Sequence, residues 1–214
     1  MKVSEIFYAI EGEGIEIGRP EVFVRLSGCN LGCEWCDTKY AFEDGKEMTI
    51  NEIFDVISSY HCKNVSITGG EPLLQRDELI ELVKNLKKSN YWIQLNTNGT
   101  LFDQEILEEV DLISMDCKCP SSNMESSDQT LKKTKDLFNK KTQFKFVIAN
   151  TSDYAYARIK ISSILQDAKN IVFQPEWHNK KFAKDLSNLI KEDKCKAKMI
   201  LQQQKFIWGN KRGV

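Results

Sequence analysis

The sequence contains no apolar run near the roughly 20 residues that a membrane-crossing helix requires. Its first residues, MKVSEIFYAI, lack the charged-then-apolar pattern of an export signal. It also has almost no net charge, since 30 Lys and Arg against 31 Asp and Glu leave −1. Lysine and glutamate are spread along the chain, so no basic patch argues for a nucleic-acid or membrane surface. Internal repeats, low-complexity tracts and linker-like stretches are missing too. Histidine is scarce, and His61 and His178 stand too far from any patterned partner to read as ligands. The expectation is a cytoplasmic protein of one domain over residues 1–214, long enough to bury a substantial core.

What is present in an unusual arrangement is cysteine. There are seven, an odd number, and three fall within eight residues. A secreted disulfide framework spaces its cysteines more evenly and usually pairs them all. Crowding of this kind points to a metal or to catalysis.

Strand and helix patterns alternate. Apolar runs at Lys2 to Ile10, Val22 to Leu26, Asn64 to Thr68, Tyr91 to Leu95, around Ile113, Gln143 to Ile148, Asn170 to Phe173 and Lys198 to Leu201 read as strands. Thr49 with Glu52 three residues on is a capping box that opens a helix with Ile50, Ile53, Phe54 and Ile57 on one face. A second helix carries Leu79, Leu82, Val83 and Leu86, and a late one follows Asn179 with Phe182, Leu186, Leu189 and Ile190 in line. This order implies an α/β fold with parallel strands and right-handed crossovers. A closed eight-unit barrel takes about 250 residues. The expected architecture is therefore an incomplete, TIM-type β/α barrel of about six β/α units, with its chemistry at the carboxyl edge of the strands.

After the strand at Val22 to Leu26 the chain reads Cys29-Asn-Leu-Gly-Cys33-Glu-Trp-Cys36-Asp37-Thr38. Thiolates suit iron–sulfur clusters and zinc. A cubane 4Fe–4S cluster usually takes four cysteines. Three cysteines hold three irons and leave the fourth open to an amino-acid chelate such as the methionine end of S-adenosylmethionine (SAM). Reducing such a cluster cleaves SAM to a 5′-deoxyadenosyl radical, chemistry that belongs to the cofactor. Gly32 is expected to allow a tight turn between ligands. The competing reading is structural zinc, which prefers four ligands. The fourth would come from Cys62, Cys117, Cys119, Cys195, His61 or His178. Thr68-Gly69-Gly70-Glu71-Pro72 closes the next strand, where glycines let backbone approach a ligand and Glu71 can accept from an ammonium.

These two motifs together resemble the radical SAM superfamily. Further motifs narrow the resemblance: Glu11-Gly12-Glu13-Gly14, Phe23 to Leu31, Trp35 to Thr38, Asn96 to Thr100, Asp116 to Ser122, Phe173-Gln174-Pro175 and Lys205 to Gly209. The chain is similar to the 7-carboxy-7-deazaguanine synthases, over most of its length. That resemblance implies conversion of 6-carboxy-5,6,7,8-tetrahydropterin to 7-carboxy-7-deazaguanine. A 5′-deoxyadenosyl radical would take hydrogen from carbon 6, the ring would contract, hydrogen would return and ammonia would leave. SAM would be regenerated, Mg²⁺ would hold the substrate carboxylate, and flavodoxin or ferredoxin would supply electrons to a homodimer.

The resemblance also implies a set of site residues. Cys29, Cys33 and Cys36 hold the 4Fe–4S cluster and Thr38 offers a hard oxygen to Mg²⁺. SAM falls to Trp35, Cys36, Asp37, Gly69, Gly70, Glu71, the Asp116-Cys117-Lys118 segment, and Gln174, Pro175, Glu176 and Trp177, with Cys117 contributing position rather than thiol chemistry. Substrate falls to Ile10, Glu11, Gly12, Glu13, Arg25, Thr68 and the Val214 carboxylate, with no catalytic side chain beyond cluster and SAM. Arg25 offers a planar fork suited to a carboxylate. The family usually has Gln at the position of Glu11, Glu at that of Asn96 and His at that of Gln204, so the departures fall on substrate contacts. Two alternatives stand beside this. One is a radical SAM activase that places a glycyl radical on a partner protein, and it needs a broad apolar open face. The other is a non-catalytic zinc- or cluster-holding interaction module.

Overall fold

The computed structural model describes residues 1–179 and 181–214. One nine-stranded sheet organises them, in the order β3-β1-β2-β4-β5-β6-β7-β8-β9. The strands are β1 (Lys2–Ile10), β2 (Pro20–Leu26), β3 (Lys46–Glu47), β4 (Asn64–Gly69), β5 (Trp92–Thr97), β6 (Leu112–Asp116), β7 (Thr142–Ile148), β8 (Asn170–Pro175) and β9 (Lys198–Met199). From β2 to β9 every neighbouring pair is parallel. The crossovers carry α1 (Ile50–Ser59), α2 (Arg76–Lys88), α3 (Gln104–Glu109), α4 (Asp128–Phe138), α5 (Thr151–Ser163) and α6 (Phe182–Glu192). This gives the expected six β/α units, and β9 does not pair back to the far edge, so the barrel stays open. The short helix α7 (Gln203–Trp208) follows β9 and is not evident in the sequence pattern.

The edge opposite β9 departs from parallel pairing. Strand β1 runs antiparallel to β2 as a hairpin, with Tyr8 opposite Val22 and Phe7 stacked on Phe23 at 5.1 Å. A nine-residue connection can join antiparallel neighbours directly, whereas a parallel partner would need a crossover.

Side-chain alternation explains the layers. On the outer face Val22, Val24, Leu26, Val65, Ile67, Ile93, Leu95, Ile113, Met115, Phe144, Phe146 and Phe173 are buried under the helices. Helix α1 is seated by the predicted capping box, with the Glu52 N–H donating to Thr49 Oγ1 at 3.2 Å and the Thr49 N–H donating to Glu52 Oε2 at 2.7 Å. In α2, Asp77 and Glu78 lie in the first turn and Lys87 and Lys88 in the last, each matching the helix dipole.

The inner face of the sheet is polar yet buried: Ser66, Gln94, Ser114, Gln143 and Gln174 are each at most 3% exposed. Buried polar groups persist when bonded. Gln143 donates to Ser114 Oγ at 2.8 Å and accepts from the Ile15 N–H at 2.7 Å, while Asn96 donates to Ser66 Oγ at 3.0 Å. An apolar lumen would fill with side chains, whereas this hydrogen-bonded floor sits beneath a cavity.

Candidate active site

The carboxyl ends of six parallel strands surround a cavity of about 310 Å³. Arg25 enters from β2, Thr68, Gly69 and Gly70 from the end of β4, and Asn96, Thr97 and Asn98 from β5. Asp116 and Lys118 enter from β6, Lys145 and Val147 from β7, and Gln174 and Glu176 from β8. The hairpin residues Ile10 to Glu13, the cysteine loop and the C-terminal stretch complete the wall.

Cys29, Cys33 and Cys36 all line this cavity. Cys29 Sγ accepts from the Leu31 N–H at 3.4 Å and from Asn98 Nδ2 at 3.9 Å. Burial pushes the Cys33 thiol up, and the Lys118 ammonium opposes that shift. N–H donors and a cation beside sulfur are what a cluster-bound thiolate requires, so the residues fit a 4Fe–4S cluster with one iron left open. Among the described residues no three His, Cys, Asp or Glu side chains group around a single metal ion. A cubane distributes its thiolates over separate irons, so it does not need that convergence, whereas four-ligand zinc does. Four of the candidate fourth ligands are engaged otherwise, although His178 reaches the cavity lining. Cys117 and Cys119 are buried in the core, Cys62 donates to the Pro20 carbonyl at 3.5 Å, and His178 Nδ1 bonds Glu176 at 2.7 Å.

Two turns hold the cysteine loop in place. The residue in the left-handed region is Gly28, at φ 89°, rather than Gly32, which has an ordinary backbone conformation. Gly70 lies directly beneath the loop, where a Cβ would stand 1.8 Å from the Gly28 oxygen and 2.9 Å from Cys29 Cβ. Glu71 corrects the expectation that its carboxylate meets an ammonium. It is fully buried, does not line the cavity, and accepts from the Leu73 N–H at 3.1 Å, Thr97 Oγ1 at 2.9 Å and the Asn98 N–H at 2.7 Å. It braces the β4 and β5 ends against each other. Cys117 and Pro175 also stay out of the lining, in the buried layer behind it, because alternation turns them away from the lumen.

Another part of the lining is built on charge. Lys145 Nζ reaches Glu13 at 2.7 Å and Asp116 at 3.2 Å, and Lys118 Nζ reaches Asp116 at 2.6 Å. Burial alone would raise both carboxyls, but the lysines outweigh it and hold Glu13 and Asp116 at about 2. Gln202 and Gln204 donate to Glu13 Oε1, each at 2.9 Å. Glu11 differs, because burial first and then Glu21 and Glu13 raise it to about 8. Gln174 and Gln204 each keep a buried carbonyl oxygen with no donor, which suits a ligand N–H.

The remaining expected residues also meet here. Arg25 gives its Nε to Glu5 at 2.7 Å, and its terminal nitrogens carry no protein hydrogen bond among the described residues. Thr38 lies 3.5 Å from Cys36 Sγ, Asp37 pairs with Lys205 at 3.0 Å, and Trp35 donates to Ser121 at 3.3 Å. Ile10, Gly12, Trp177 and Val214 line the cavity as well. The sequence reading missed Lys145, Tyr40, Lys211 and Arg212, all of them in the wall. A lysine between Phe144 and Phe146 in a strand was a usable signal for the first. The tail residues carried none, since the Gln203 N–H to Gly12 carbonyl contact at 2.9 Å exists only after folding.

A thiol triad facing a charged cradle at the carboxyl edge of an open β/α barrel defines a class, and sequence comparison agrees. The profile of the radical SAM superfamily matches residues 23–165, and the chain belongs to that superfamily. A 7-carboxy-7-deazaguanine synthase of Koribacter versatilis is 33% identical over 97% of both chains. One of Clostridium acetobutylicum is 35% identical over 100% of this chain and 99% of its own, and one of Thermoplasma acidophilum is 33% identical over the whole of both. The chain is a member of the 7-carboxy-7-deazaguanine synthase family. In fold it superposes on the crystal structure of QueE from Escherichia coli with a TM-score of 0.75, at 21% identity, over 94% of this chain and 93% of that one.

Proposed function

We propose that this protein converts 6-carboxy-5,6,7,8-tetrahydropterin to 7-carboxy-7-deazaguanine with release of ammonia, in queuosine-type deazapurine biosynthesis. The observation that carries the reading is one cavity lined both by three thiols and by Arg25, Glu11 and Glu13. A bound 4Fe–4S cluster with SAM supplies a 5′-deoxyadenosyl radical there. Everything else falls to the chain. Arg25 presents its free terminal nitrogens to the substrate carboxylate. Glu13, held ionised by Lys145, accepts from ring N–H and amino groups. Thr38 would offer Mg²⁺ one hard oxygen, with substrate and water supplying the rest. Gly70, packed under Gly28 and Cys29, would let backbone approach the methionine end of SAM, and Asp116 and the unpartnered Gln174 oxygen would offer further acceptors to it. The cytoplasm, a homodimer and a flavodoxin- or ferredoxin-type reductant complete the proposal. Among the described residues no helix is long and apolar enough to cross a membrane.

A glycyl-radical activase would need an open apolar face, whereas this cavity is walled by Glu11, Glu13, Arg25, Asp116, Lys118 and Lys145. The test is an anaerobic assay of reconstituted, reduced protein with SAM, Mg²⁺ and the pterin, followed by mass. Product from the native chain and none from Cys33→Ala supports the proposal. SAM cleavage without product would retain the superfamily chemistry and remove the substrate.

A further inference from the structure

Five acidic side chains, Glu11, Glu13, Glu16, Glu21 and Asp116, lie in and behind the cavity lining around two cations, Lys145 and Arg19. Lys145 is taken by Glu13 and Asp116. Arg19 is taken by Glu16 at 2.9 Å and Glu21 at 2.7 Å, and its guanidinium lies 3.3 Å over the Trp92 ring. Glu11 lines the cavity, is 5% exposed, and forms no ion pair among the described residues. Its oxygens meet only neutral donors, the Glu13 N–H at 3.0 Å and Gln94 Nε2 at 2.7 Å.

Resting on the proposed substrate, we infer that Glu11 meets the pterin as a neutral carboxylic acid and donates a hydrogen bond to its ring carbonyl, while ionised Glu13 accepts from the adjoining N–H and amino groups. A 2-amino-4-oxopyrimidine edge offers one acceptor next to two donors. Two ionised carboxylates would be acceptors only and would repel each other across that edge. One neutral and one ionised carboxyl match it. The charged and titratable groups facing Glu11 are Glu13 on its own loop, Glu21 and Arg19 at the start of β2, and Lys145 on β7 with Asp116 behind it. From β5 come Gln94 and Asn96, and from the C-terminal stretch Gln202 and Gln204, all neutral. The raised carboxyl, at about 8, agrees with this allocation of cations.

The test uses the reconstituted holoenzyme and two readouts. Infrared difference spectra without substrate should show a protonated-carboxyl band that disappears as pH rises through about 8 and is missing in Glu11→Gln. The KM for the pterin should rise about tenfold per pH unit above that point and stay flat in Glu11→Gln, whose amide keeps shape and donor. Glu21→Gln, which removes a like charge outside the cavity, should move both transitions to lower pH. No titrating band, or a KM profile unchanged by Glu11→Gln, overturns the inference. If the pterin is not turned over even at neutral pH, the substrate assignment fails by itself and the band decides the protonation of Glu11.

Discussion

Replacing Lys145 with methionine removes the cation between two half-buried carboxylates. Asp116 retains Lys118 at 2.6 Å, so the loss falls mainly on Glu13, which keeps only the Gln202 and Gln204 amides. Breaking a buried pair from one side costs about 3–5 kcal/mol, and the partial exposure of these side chains together with the surviving partners places this case at or below about 3. For a chain of this size each kcal/mol moves Tm by about 2–4 °C, so the holoenzyme should melt lower by up to roughly 6–12 °C at neutral pH. The pH dependence fixes the cause. In the native protein Glu13 is depressed to about 2, so its stabilising contribution is full above the unfolded carboxyl range and lost as pH falls toward 2. In the variant burial acts on Glu13 opposed only by the two amides and raises it, so its penalty is largest at neutral pH and is relieved by acid. The deficit in Tm should therefore shrink toward about pH 5. Thermal melting followed by circular dichroism at several pH values measures both. A deficit under about 2 °C, or one that does not change with pH, refutes the reasoning.

Other substitutions separate the loops from the scaffold. Gly70→Ala places a Cβ 1.8 Å from the Gly28 oxygen, so the cysteine loop must shift; iron bound per chain after reconstitution should fall while the far-UV spectrum holds. Glu71→Gln puts an NH₂ against one of three buried donors and should lower the urea midpoint by an amount equal to about 1–3 kcal/mol. An unchanged midpoint would mean the brace between β4 and β5 is unimportant. Thr49→Ala removes the α1 cap, far from the cavity; it should cost about 1 kcal/mol in denaturation and leave turnover untouched.

The sequence by itself determined a good deal. Alternating runs such as Val22 to Leu26 and Asn64 to Thr68 marked strands because one face of each must bury against helices. The Thr49 and Glu52 pair marked a helix start because capping is a local bond. The Cys29, Cys33 and Cys36 spacing pointed to the radical SAM superfamily because the motif lies within eight consecutive residues. Even the six-unit count followed from these local periodicities.

Tertiary structure decided what depends on distant partners. It turned Glu71 from a ligand group into a buried brace, since its three donors sit on the ends of elements joined only by folding. It brought Lys145 against Glu13, 132 residues away, and the tail against the hairpin, contacts no local pattern encodes. It pushed the carboxyls of Glu11 and Glu13, two residues apart and alike in sequence, in opposite directions, because burial acts on both while the nearest cation belongs to one. Chemical identity is local, but charge state and reach are set by the neighbours that packing supplies.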